Sequence, residues 1–198
     1  MARLKIDELN IIDFFSEMNL SQDEIDRRIS YAQQVKEMYH RVFTIVKAAK
    51  KVDDDLDAEF IEDMLTNGYA DIFNTDNRYT QKHLSLIVPE VVSTTLKNIN
   101  DAYYLSDERA KIIAVNDVNS ICNNKLEEKA IKSGFKYKIW ETMKDDKVRH
   151  THIMADGQRV PIDGMFTVGM SEMRFPMDTE NGNPEEIINC RCVCIYTR

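Results

Sequence analysis

From Ser21 onward, apolar side chains recur at intervals of three and four: Ile25, Ile29, Ala32, Val35, Tyr39, Val42 and Val46. That period lays one apolar stripe along an α-helix, and with neither Gly nor Pro to break it the pattern predicts an unbroken helix to about Lys50. The opening Ser-Gln-Asp-Glu reads as a capping box, while Lys47, Lys50 and Lys51 complement the helix dipole at the far end. Three further helices are predicted. One spans about residues 55–73, interrupted near Asn67-Gly68, and one spans about 89–104, opening on Pro89. The last spans about 106–132, with Ser106 as N-cap, Asp107 and Glu108 in its first turn and Gly134 as its stop. The acidic run Asp53-Asp54-Asp55 reads as a solvated helix start, with a cation site as the other reading.

After Gly134 the period changes to two. Phe135, Tyr137 and Ile139 alternate with Lys136, Lys138 and Trp140, the pattern of a half-buried strand. Asp156-Gly157, flanked by His152-Ile-Met-Ala and Gln-Arg-Val-Pro-Ile, predicts a hairpin in which His152 faces Pro161 at a sheet edge. Residues 161–184 read as loop. Residues 187–196 read as a closing strand buried on both faces, with Cys190, Cys192 and Cys194 on one face and Asn189 and Arg191 on the other, which would keep Arg191 and the cysteines out of a common site. The expected fold is therefore α+β: a helical docking region over residues 1–105, then an α+β domain over 106–198 with about four short strands, antiparallel-rich.

Composition narrows the function classes. At 198 residues the chain can bury one good core, or a core and a smaller module. A net charge of -8 opposes a surface that coats nucleic acid, although Lys132, Lys136, Lys138, Lys144, Lys147, Arg149, Arg159, Arg174, Arg191 and Arg198 could build a local basic face. Duplex DNA contact is accordingly expected to be weak, no better than the ~10⁻⁴ to 10⁻⁶ M of non-specific binding. No stretch approaches the ~18 apolar residues of a membrane span, and Met-Ala-Arg-Leu-Lys-Ile-Asp at the start is no secretory core, so a soluble, unexported protein is expected. Three of the four cysteines stand two apart, a spacing suited to reduced thiols or metal ligands in a cytoplasmic setting rather than to loop-stapling disulfides. The chain shows no phosphate-binding glycine loop, nucleophile elbow or helical His-Glu zinc motif.

One constellation is more specific than any of its parts. Trp140, the acidic pair Asp145 and Asp146, Arg149 and His152 as Arg-x-x-His, Asp156-Gly157, Pro176-x-Asp178 and the closing Cys190-Arg191-Cys192 follow in that order. In order and spacing they resemble the C-terminal domain of phage minor head proteins, the Mu-F-like head-morphogenesis family, over a third to a half of the chain. Upstream, Arg109 and Ala114 fit the family's helix, but Asn116 and Asp117 stand where members commonly carry Thr-Glu. The resemblance implies a small barnase- and RelE-like fold and a low-copy component, oligomeric within a virion. It also implies portal or capsid partners, and residence inside the phage head or in the host cytoplasm during assembly, with no cofactor.

Three chemistries compete for this region. In an enzyme, RNase-type or ADP-ribosyltransferase-type, Arg149, His152, Asn189 and Arg191 would line a cleft, the His moving a proton and the Arg groups clamping phosphate. In a metal site, His150, His152, Cys190 and Cys192 would supply ligands of zinc-binding type; against it, the cysteines are read first as small buried hydrophobes, as is Cys122. In an assembly protein, the same His and Arg residues would tie loops to the sheet, and the Met-rich stretch from Met165 to Met177, with Phe166 and Phe175, would offer either an adaptable contact surface or ordinary loop packing. The assembly reading comes first. Whether Arg149, His152 and Arg191 meet in an open cleft or are satisfied within the fold discriminates among them.

Overall fold

The computed structural model describes residues 10–52, 57–73 and 76–198; the Asp53-Asp54-Asp55 run lies outside them. Five helices come first: α1 (Ile11–Ser16), α2 (Gln22–Lys51), α3 (Ala58–Ile72), α4 (Arg78–Lys97) and, after a 3-10 turn at Ala102–Leu105, α5 (Asp107–Lys132). The rest alternates short strands and single-turn helices: β1 (Tyr137–Glu141), α6 (His150–Ala155), β2 (Arg159–Pro161), β3 (Phe166–Val168), β4 (Ser171–Met173), α7 (Pro184–Ile187) and β5 (Val193–Thr197). Antiparallel β1 lies between β2 and β5, and β3 pairs with β4. This is the α+β class that the change of period predicts. No helix among the described residues is long and apolar enough to cross a membrane.

The predicted long helix runs unbroken as α2, although Ser21 makes no side-chain cap bond. Its stripe is buried at Ile25, Ala32, Val35, Tyr39, Val42 and Val46, packed into one apolar core with Leu65 of α3, Val88 and Val92 of α4 and Ala114, Val118 and Ile121 of α5. The core thus runs continuously from the first helices into α5. Two helix boundaries differ from expectation. α3 passes through Asn67-Gly68 without a break, because Gly68 is where α2 comes closest: a Cβ there would collide with the Met38 side chain. The next helix begins at Arg78, not Pro89, capped by the Asn77 side chain on the Thr80 N–H, and holds Pro89 in its interior. Tyr79, Thr80, His83 and Leu84, all buried, secure the turns that a proline-first reading discards.

In β1 the strand is where the alternation puts it, but the buried face is the opposite one: Lys138 and Trp140 point inward. The fully buried Lys138 ammonium donates to Glu127 of α5 at 2.6 Å and sits over the Phe166 ring. Burial pushes the Glu127 carboxyl above its ordinary range, with Lys138 pulling the other way. A paired cation can occupy a core position that hydropathy assigns to an apolar residue.

The hairpin is also corrected. Residues 150–155 are helix, and the partner of β2 is β1, in the register Tyr137↔Pro161, Lys138↔Val160 and Ile139↔Arg159. Gly157 takes φ +77° and donates to the Trp140 carbonyl, while the Asp156 carboxylate accepts from the Thr142 N–H and hydroxyl at 2.8 and 3.0 Å. This Asp-Gly pair therefore stops α6 against β1. The closing strand is shorter than predicted: α7 and an irregular stretch fill 184–192, and β5 is an edge strand with Ile195 exposed.

α5 links the two halves through polar side chains. Arg28 of α2, fully buried, donates to Glu24 (2.9 Å), to the Asn123 side-chain oxygen (2.9 Å) and to that of Asn119. With their oxygens so engaged, the two amide NH₂ groups point onward to loop carbonyls, Asn119 to Cys190 (2.8 Å) and Asn123 to Pro176 (2.6 Å). Between them Ser120 donates to the Met177 carbonyl, and Asn116 binds the backbone N–H of Asn189. Positions 116, 119, 120 and 123 form one helix face. Replacing Arg28 by Ala leaves two buried amide oxygens without a donor and Glu24 with the exposed Arg27 as its remaining ion-pair partner, so we expect a loss of ~3 to 5 kcal/mol in urea unfolding. A loss under ~1 kcal/mol would mean that the relay carries little of the stability.

Candidate functional site

Residues 187–192 lead from α7 into β5 and pass beside α6, where Arg149 and His152 meet them. Asn189 adopts φ 57°, a left-handed conformation that Asn tolerates better than most residues, and Asn116 fixes it by accepting from its N–H at 2.6 Å and donating to its side-chain oxygen at 3.2 Å. This kink replaces the expected strand alternation. As a result Cys190, Cys192 and Arg191 border one small recess, together with Arg149, His152 and Asn189, correcting the expectation that Arg191 and the cysteines serve separate places.

The four sequence-predicted site residues are therefore neighbours, but their functional groups are engaged. Arg191, nearly buried, pairs with Glu17 and, at 2.8 Å, with Asp145. Arg149 donates to the Ile188 carbonyl. Asn189 is held by Asn116. His152, 1% exposed, stands edge-on to the Trp140 ring; its Nε2 is 3.0 Å from a Glu186 carboxylate oxygen that also accepts from the Thr151 hydroxyl. Because a carboxylate can only accept, Nε2 carries the proton, and Nδ1 faces the sulfurs of Cys192 at 3.3 Å and Cys190 at 3.6 Å. His150 is exposed at the first residue of α6 and stands outside this cluster.

Burial alone would raise the Cys190 thiol, but hydrogen bonds from Cys192 and His152 and the imidazole's charge outweigh it and hold Cys190 well below its ordinary range. Cys192 moves up, through its hydrogen bond to Cys190 and through burial. Burial would lower His152, yet the Cys190 sulfur raises it overall. Cys190 is thus the more acidic thiol of the pair, beside an imidazole oriented by a carboxylate. Such a group can act as a nucleophile or as a soft metal ligand, and its 2% exposure limits the first use.

Glu186 is absent from the sequence-based set. Pro184-Glu185-Glu186 reads as an ordinary helix first turn, and nothing local announces a partner 34 residues away. Its place is made by Gly169 (φ +59°), where any Cβ would strike the carboxylate. The other residues of the constellation also have structural work. The fully buried Asp178 carboxylate accepts from the N–H groups of Arg174 (2.9 Å) and Glu180 (3.2 Å) and from Asn181 (2.8 Å), organising its loop; Pro176 offers its carbonyl to Asn123. Arg109 donates to Thr95 and to the Tyr104 and Val91 carbonyls. Where Thr-Glu was expected, Asn116 holds the site loop and buried Asp117 accepts from Tyr69 and approaches His83 at 3.3 Å. In the Met-rich stretch Phe166, Met173, Phe175 and Met177 are buried and Met170 is exposed, so packing accounts for most of it.

The family described as Phage Mu protein F like protein matches residues 89–195, more than half of the chain. The chain belongs to that family. Membership in the Mu F-like family supports a bacteriophage protein with a part in head morphogenesis, and the matched span takes in α5, both sheets up to Ile195 of β5 and every residue of the recess. No curated protein and no solved structure matches the chain.

Because His152 joins Glu186 to both thiols, His152→Gln is expected to cost ~1 to 3 kcal/mol by leaving buried partners unpaired, read as a lower urea midpoint. A variant as stable as the parent that lost an RNA-cleaving or transferase activity would instead make the ring catalytic.

Proposed function

We propose that the chain is a minor head protein that works by contact with portal or capsid proteins during head assembly and is carried in the virion. Family membership over residues 89–195 supports a role in the phage head. The observation that carries the structural, non-catalytic form of the reading is the engagement of the recess side chains. A nuclease or transferase needs free cationic groups facing an open cleft. Here Arg191 is bound to Glu17 of the helical half and to Asp145, Arg149 is turned onto the Ile188 carbonyl, and His152 is enclosed. The Arg191–Glu17 pair fastens the C-terminal half to the end of α1, and Asn116 and Asn119 fasten it to α5, which suits a rigid body that transmits contact. The helical half, residues 1–105 with α2 as its longest element, is the part we assign to docking; Phe60 of α3 and Leu86 of α4 are large apolar side chains left at its surface.

The experiment is co-expression with the portal protein of the same phage or prophage. Co-purification of the two, together with low-copy recovery of this chain from purified heads, is expected. Failure to associate with portal or capsid protein, combined with absence from heads, would overturn the proposal.

A further inference from the structure

We propose that His152, Cys190 and Cys192 form a three-residue binding site for zinc or a cation of similar softness, with the fourth coordination position open to the recess. The ligand atoms, Nδ1 of His152 and the two Sγ atoms, all lie within 4.8 Å of one another and all three residues are buried. The two nitrogen–sulfur separations are 3.3 and 3.6 Å. Ordinary Zn–N and Zn–S bond lengths in a tetrahedron put that edge at about 3.6 Å, so the donors already stand close to where a metal needs them.

The outer groups suit the assignment. Glu186 accepts from Nε2 and turns Nδ1 toward the two sulfurs, the carboxylate–histidine arrangement that orients metal-bound imidazoles. Buried Trp140 stands edge-on to His152 beside the cluster, and its Nε1 has no hydrogen-bond partner among the described residues. Two thiolates neutralise a divalent cation, which removes the electrostatic cost of seating it in a buried place. The recess beside the cluster has a volume of about 20 Å³, enough for one water as fourth ligand. The kink at Asn189 and the Asn119 bond to the Cys190 carbonyl set the backbone that presents both thiols, so the site is built by α5 and does not rest on the Cys-x-Cys spacing alone.

The test uses the full chain, reduced and without an affinity tag. Expected are about one equivalent of zinc by elemental analysis and, after exchange with Co²⁺, the near-ultraviolet thiolate-to-cobalt band and the visible bands of a tetrahedral site. Cys190→Ser and Cys192→Ser should each weaken Co²⁺ binding at least tenfold, while Cys194→Ser, at a half-buried thiol outside the cluster, should match the parent. If the Cys190 or Cys192 variants fail to fold, the parent protein still decides. Folded, reduced parent chain that takes up neither zinc nor Co²⁺ overturns the site, as does metal binding that survives both substitutions.

Discussion

The structure depends on how a buried guanidinium is paid for. Arg28 sits in the middle of the helical core, where an isolated charge would cost several kcal/mol, and it is tolerated because Glu24 and two asparagine oxygens surround it. The pairing has a directional consequence. An asparagine whose oxygen faces Arg28 must present its NH₂ elsewhere, and both Asn119 and Asn123 present it to main-chain carbonyls of the C-terminal loops. The electrostatic need of α2 thereby becomes the register of residues 176–190 against α5.

The recess follows from that register. With Asn116 and Asn119 gripping Asn189 and Cys190, the chain kinks where an extended strand was expected, and both thiols come to His152 while Arg191 turns to Glu17 and Asp145. Glu186, lodged against Gly169, completes the orientation of the imidazole. The positions that define the Mu F-like constellation are therefore largely fold-determining: Asp156 anchors Thr142, Asp178 ties its loop and Arg191 joins the two halves. A network of fully engaged polar groups favours a single arrangement of loops that have little regular structure of their own.

What the sequence discloses is the part governed by period. α2, α5 with its Ser106 cap and β1 are each legible from spacing and end signals. The inward face of β1 was not, because Lys138 is buried by a partner on α5 that hydropathy cannot anticipate. The start of α4 was missed because Pro89 was weighed as a local signal while burial of Tyr79, His83 and Leu84 decided the matter. α6 was taken for a strand because Asp156-Gly157 resembles a hairpin turn, whereas the Asp156 side chain serves Thr142. The site is half legible: its Arg, His and Cys residues stand in the constellation and Asn189 in the cleft reading, but their convergence depends on an Asn189 backbone angle and on Asn116, which the sequence marks only as a departure from the family's commoner residue.

If the polar face of α5 organises the C-terminal loops, loosening it should release those loops and little else. Amide hydrogen exchange on an Asn116→Ala, Ser120→Ala double variant, which leaves the partners of Arg28 in place, measures this directly. The account predicts that protection falls at least tenfold over residues 173–192 while the amides of α2 and α3 exchange as in the parent. Unchanged exchange across 173–192, or an equal loss of protection along α2, would contradict it.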